Sequence, residues 1–212
     1  MKVGILGSGS VGQTLAAGFL QHGHEVMVGT REPAKLSDWS RAHPAARVVD
    51  SRTAAQFAEL LVLAVKGDVA KQVLEAAGPE NLTGKTIIDA CNPIAEGPPD
   101  HGVLKFFTGP NESLMEQLQR DFPEAHLVKA FNSVGASNMV NPPFHEKPTM
   151  FICGNNDAAK KKVAAILDQF GWETADMGTA EAARGIEPLC ILWCTQGFVR
   201  NEWTHAFRLL HR

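Results

Sequence analysis

Near the start of the chain, Gly7-Ser8-Gly9-Ser10-Val11-Gly12 spells GxGxxG between an apolar run at residues 3–6 and a helical periodicity at 11–20. Each glycine has a reason at this spacing. The first allows a tight turn, the second lets backbone approach a pyrophosphate, and the third lets the helix pack closely on the strand. The helix N-terminus then offers unpaired N–H groups and a positive dipole end to the phosphates. The chemistry implied is dinucleotide binding. The next strand, residues 26–28, runs into Gly29-Thr30-Arg31, with Lys35 one turn later. Folds that bind NAD usually carry an Asp or Glu there for the ribose 2′-OH. Here a hydroxyl, a guanidinium and an ammonium converge where a 2′-phosphate would sit, and Arg matches that anion through bidentate, charge-assisted bonds. NADP(H) is therefore expected over NAD(H). Glu32 lies one position too late to serve as the ribose ligand.

Ligands in open α/β sheets bind beyond the carboxyl ends of the strands. That rule makes Val65 and Lys66, Asn92 and Pro93, and Asn132 and Val134 further candidates, within the segments 65–68, 90–93 and 131–134. Asn92-Pro93 fits a rigid turn whose amide could meet a carboxamide or ribose, and Asn132 could contact nicotinamide or substrate. A turn-forming Asn explains each equally well. Lys66 and Lys129 follow strands and could donate a proton, although a Lys there is more often a phosphate contact or a solvated charge. His22, His24, His43, His101, His126, His145, His205 and His211 pair with no carboxylate at metal or triad spacing. Cys91, Cys153, Cys190 and Cys194 form no CxxC pair, so reduced structural thiols and no metal are expected. The chain has no tyrosine. That excludes short-chain dehydrogenase chemistry, in which a Tyr four residues before a Lys protonates the substrate oxygen. No residue is assigned a catalytic role.

These residues need a scaffold, and 212 residues with 44% hydrophobic and 20% charged composition supply one packed core. Apolar runs at 3–6, 26–28, 47–49, 60–65, 86–89, 127–130, 150–153 and 172–175 read as strands. Helical patterns at 11–20, 33–43, 69–77 and 113–120, and one capped by Asn156 or Asp157 and running to Gln169, alternate with them. The expected fold is Rossmann-type doubly wound α/β, a mostly parallel sheet with helices on both faces. The domain spans 1–180, with a helical appendage at 181–212. From Ile186 onward, apolar residues at three-four spacing predict one amphipathic helix, broken near Gly197-Phe198 and resumed through Trp203, Phe207 and Leu210. It is expected to pack on the domain or on a second subunit. The Gly/Pro-rich stretch 92–111 reads as a lid or a disordered excursion. With a net charge of −3 and scattered basic residues, no nucleic-acid partner is expected. No signal-like or spanning segment is visible, so a cytoplasmic protein without membrane contact is expected.

With these segments placed, the chain resembles the NADPH-dependent coenzyme F420 reductase family, whose domain is shared by the cytosolic reductase part of the STEAP metalloreductases. The matching pieces are the GSGSVG loop, Val-Gly-Thr-Arg at 28–31 with Lys35, Val-Lys-Ala-Phe-Asn at 128–132, Asp176-Met177-Gly178 and Glu187-Pro188-Leu189. The resemblance implies that Ser8, Gly9, Ser10 and Val11 bind the pyrophosphate and that Thr30, Arg31 and Lys35 bind the 2′-phosphate. It implies a flavin-like ring stacked on the nicotinamide near 131–134 and the last helix. It also implies a homodimer through C-terminal elements, which would account for Trp193 and Phe198. The long 92–111 stretch and the Trp-rich last helix depart from the archaeal pattern. The expected function is hydride transfer between NADP(H) and F420, or another flavin-like acceptor such as FMN or FAD. The alternatives are reduction of a small carbonyl or imine compound, aided by Lys66, Lys129 or Asn132, and a non-enzymatic NADPH sensor.

Overall fold

Two short, continuously buried apolar runs, at 3–6 and 60–63, become the two central strands. In the computed structural model, which describes residues 1–210, β1 (Lys2–Leu6) pairs in parallel with β2 (Glu25–Gly29) and with β4 (Leu60–Leu63). His211 lies outside the described residues. β3 (Arg47–Val49) adds to β2, while β5 (Thr86–Asp89) and β6 (His126–Lys129) add beyond β4. The sheet therefore has six parallel strands in the order β3-β2-β1-β4-β5-β6. Every residue of β4 and β5 is buried, as strands covered by helices on both faces require.

Alternation along the strands divides the core in two. Val3, Ile5, Val26, Val28 and Val62 face α1 (Ser10–Gln21) and α6 (Asp157–Gln169), which contribute Leu15, Phe19, Val163 and Leu167. Leu6, Met27, Leu61 and Leu63 face α3 (Ser51–Phe57), α4 (Ala70–Ala77) and α5 (Leu114–Asp121). Each large apolar side chain buried this way contributes about 1.5–3 kcal/mol. The 33–43 segment is not one helix; a 3₁₀ turn at Pro33–Leu36 precedes α2 (Ser37–Ala42). Helix α3 went unread in the sequence because seven residues are too few to show a period. Its start is fixed by Asp50, whose carboxylate accepts the Thr53 N–H at 2.8 Å. β7 (Thr149–Ile152) and β8 (Glu173–Asp176) form a separate parallel pair, linked to β6 by an antiparallel bridge between Lys129 and Cys153.

The C-terminal region differs from the expected interrupted helix. Ile186 closes a short α7 (Ala183–Ile186), and α8 (Leu189–Arg200) runs without a break through Gly197 and Phe198. It stops at Asn201, whose φ of 56° is the left-handed conformation of a helix cap. Trp203 and Phe207 lie in a non-helical tail that doubles back. The Trp203 ring covers Gly197 so closely that a Cβ there would lie 2.3 Å from it. Further along, Phe207 O accepts the Thr149 N–H at 2.9 Å, anchoring the tail on β7. The 92–111 stretch is not disordered. It is a flap whose two limbs meet at isolated bridges Ile94–Phe106 and Asp100–Val103, with its Gly102 tip against Val199. Among the described residues, no helix is long and apolar enough to cross a membrane.

Candidate active site

Strand order reverses between β1 and β4, and a cleft of about 1150 Å³ opens there beyond the carboxyl ends of the strands. One wall is the loop Ser8, Gly9, Ser10 and Val11, with Arg31 beside it at the end of β2. The opposite wall is Val65, Lys66 and Asn92, and the flap residues Ile94, Ala95, Glu96 and Gly97 form the rim. The glycines are fitted to different tasks. Gly7 has φ +130°, and a Cβ there would lie 2.2 Å from Ala64 O; a Cβ on Gly12 would lie 2.3 Å from Gly7 O. Both close approaches exclude any side chain. Gly9 instead has nothing within 4 Å of its Cβ position, so the open space is on the cleft side. Helix α1 begins there with no capping side chain and no acidic residue in its first turn. Its first N–H groups are free for an anion, which is what a pyrophosphate needs.

The structure does not bring every sequence candidate into the cleft wall. Gly7 lies beneath the loop. Thr30 is buried, and its Oγ1 donates to Ser8 Oγ at 3.1 Å while accepting the Glu32 N–H. Lys35 is exposed and paired with Glu32 at 2.9 Å, so its ammonium is already engaged by the nearest carboxylate. Pro93 sits behind the rim, with its carbonyl bonded to Phe107 N–H. Asn132 and Val134 are buried, and Asn132 Nδ2 donates to Asn92 Oδ1 at 3.1 Å and to Ile186 O at 3.0 Å. Its amide nitrogen therefore holds protein groups while Oδ1 is buried without a partner, and Asn92 is the cleft-side member of the pair. Ala64, Val69 and residues 94–97 line the cleft without having been singled out as contacts. The Gly/Pro-rich composition of 92–111 was the only signal for the last of these.

Behind the cleft floor lies a charge cluster that the sequence did not disclose. Lys129 is fully buried, neither a solvated charge nor a proton donor to the cleft, with Nζ 2.6 Å from Asp89 Oδ2 and 2.9 Å from Glu187 Oε1. Burial alone would lower the lysine pKa, but the two carboxylates outweigh it and hold the ammonium above its usual range. Cys91 is buried against the same cluster instead of facing the cleft. Burial and the Asp89 charge push its thiol well above its ordinary pKa, and burial raises the Cys153 thiol to about 12. Both thiols stay protonated and unreactive.

A profile of the family described as NADP oxidoreductase, coenzyme F420-dependent, matches residues 2–93, from β1 to the Asn92-Pro93 turn. A crystal structure of a candidate F420-dependent NADP reductase from Arthrobacter sp. FB24 is 36% identical and superposes with a TM-score of 0.93, covering 100% of both chains. The chain belongs to the F420-dependent NADP oxidoreductase family. An F420-dependent NADP reductase from Methanocaldococcus jannaschii is 25% identical over 89% of each chain. The rat metalloreductase STEAP3 is 29% identical over 89% of this chain, which spans only 36% of that protein. The family is one of NADP-dependent oxidoreductases, and the cleft at the β1–β4 reversal lies where open α/β sheets take their ligands.

Proposed function

We propose that the protein transfers hydride between NADP(H) and coenzyme F420 or another flavin-like acceptor such as FMN or FAD. The observation that carries this reading is the fate of the groups at the end of β6. Of the three residues that could have activated a carbonyl or imine, Lys129 and Asn132 are buried and bonded to protein groups, leaving only Lys66 on the cleft wall, and the chain has no tyrosine. Two relatives matched over nearly their full length carry F420-dependent NADP reduction in their names. Bound NADP(H) supplies the hydride chemistry. The protein's own contribution is placement. Free N–H groups of the Ser8 to Val11 loop receive the pyrophosphate, and Arg31 receives the 2′-phosphate. Since Arg31 lies on the β2 side, Val65, Lys66 and Asn92, across β1 and beneath the flap, would hold the rest of the dinucleotide. The flap residues Ile94, Ala95, Glu96 and Gly97 exclude water from that end.

A homodimer belongs to the same proposal. Trp193 is covered by the chain's own His205 and Trp203, leaving Leu192, Phe198 and Val199 as exposed apolar residues of α8. The test of the function is anaerobic oxidation of NADPH with F420, FMN and FAD in turn, followed by nicotinamide absorbance. Turnover with F420 is expected, and no turnover with any of the three rejects the reading.

A further inference from the structure

We propose that Lys129 is a positioning residue for the hydride step, holding both roots of the 92–111 flap and the Asn92 peptide at the cleft wall. The inference rests on the function proposed above, but its geometry stands independently. At the first root, Lys129 Nζ donates to Cys91 O at 3.0 Å, and Asp89 Oδ1 accepts the Cys91 N–H at 2.9 Å. Both peptide groups flanking Cys91 are thus held by members of one ion cluster. Because the peptide is planar and trans, turning the Cys91 carbonyl toward Lys129 turns the Asn92 N–H the opposite way. That N–H has no hydrogen-bond partner among the described residues, and Asn92 lines the cleft. The Asn92 carbonyl is pinned against Gly67, where a Cβ would lie 2.3 Å away.

At the second root, Glu187 accepts the N–H groups of Leu114 and Met115 through its two carboxylate oxygens, each at 3.0 Å. These residues begin α5 immediately after the flap. Glu187 is the same carboxylate that pairs with Lys129, so one buried ammonium joins the start of the flap to its end. The Asn92–Asn132 pair adds a third tie, through Ile186 O, to the end of α7. Stability gives little reason for such an arrangement, since apolar residues of similar volume commonly replace a buried ion set at no cost. Fixing the two ends of a cleft-covering segment is a reason. None of the three charged residues lines the cleft, so their effect on the reaction must pass through Asn92 and the flap.

The test compares wild type with Glu187→Gln and with the triple variant Asp89→Asn/Lys129→Met/Glu187→Gln, which removes all three charges at nearly constant volume. Amide hydrogen exchange is measured without nucleotide, followed by NADPH affinity and the single-turnover hydride rate to F420 at saturating NADPH. Exchange should accelerate about tenfold or more across 93–107 while β1 and α1 keep wild-type protection. NADPH affinity should weaken by a smaller factor than the hydride rate, because the Ser8 to Val11 loop and Arg31 keep their places. The hydride rate should fall about tenfold or more, as expected when a reacting group is misplaced. If the triple variant does not fold, Glu187→Gln is read alone. Wild-type exchange across 93–107 in a folded variant overturns the proposal, and so does faster flap exchange with an unchanged hydride rate. If wild type transfers no hydride to F420, FMN or FAD, the proposed function fails, and the exchange comparison still decides whether the cluster holds the flap.

Discussion

Thr30 Oγ1 donates to Ser8 Oγ at 3.1 Å, joining the end of β2 to the glycine loop across 22 residues of sequence. The bond fixes Arg31 relative to the loop that we propose receives the pyrophosphate. Thr30 therefore acts as a brace within the protein. Thr30→Val keeps the shape and removes the bond, and we expect NADPH and NADH affinities to weaken together by about 1 kcal/mol. Isothermal titration with both nucleotides checks this; a loss confined to NADPH would instead make Thr30 a direct 2′-phosphate ligand.

Arg31 should behave differently. It lines the cleft, makes no ion pair among the described residues, and stands where an NAD-preferring fold carries an acid. Arg31→Ala is expected to weaken NADPH by about 1.5–3 kcal/mol, the scale of a lost charged hydrogen bond, with little change for NADH. Equal losses for both nucleotides would contradict the assignment. Lys35→Ala should have the smaller effect, because its ammonium is paired with Glu32.

Two glycines of one motif should separate binding from folding. Gly9 has φ −74° and open space at its Cβ position, so Gly9→Ala should fold normally and lose NADPH affinity. Gly12→Ala gains up to about 1 kcal/mol of helix propensity. Its Cβ would nevertheless lie 2.3 Å from Gly7 O, and such overpacking costs about 1–3 kcal/mol. The clash should win, lowering the denaturation midpoint. A Gly12→Ala protein as stable as wild type would show that the helix can shift away from the strand.

Glu116 carries the clearest pH signature. Its carboxylate is forked by Arg184 and closes a capping box with Ser113, and these bonds, Arg184 first, lower its pKa from 4.5 to about 2. A depressed carboxylate stabilises the fold fully above its unfolded pKa, and that contribution is lost as pH falls through the folded value. Glu116→Gln keeps the cap and removes the charge. It should cost about 1 kcal/mol at neutral pH, and its difference from wild type should close between pH 4.5 and 2. Urea melts across that range read the effect; a difference constant with pH would assign it to the cap.

Much of the scaffold was legible because local signals agreed with the fold. The GxGxxG glycines, the apolar strands and the Asn156 cap each act over a few residues, and the structure uses them where the sequence marks them. What was not legible depended on distant partners. Lys129 reads as an ordinary charge until Asp89 and Glu187, 40 residues before and 58 residues after it, are brought against it. Asn132 reads as a cleft ligand until burial and the bonds of its Nδ2 to Asn92 and Ile186 turn it inward. The tail after Asn201 keeps apolar residues at helical spacing. Its conformation is decided by Trp203 folding over Gly197 and by Thr149 on β7, neither of which a helical period can show.

The reversal between β1 and β4 has a consequence for how long the protein lasts. A nucleotide bound there would touch loops from both halves of the sheet, β3-β2-β1 and β4-β5-β6, and parting those halves would release it. Unfolding is then opposed by mass action, by about 2.7 kcal/mol when nucleotide exceeds its dissociation constant a hundredfold. Where proteases attack the open form, degradation follows its population. Resistance to proteolysis should thus rise with NADP(H) concentration, and the cell's nucleotide supply would set the enzyme's lifetime as well as its turnover.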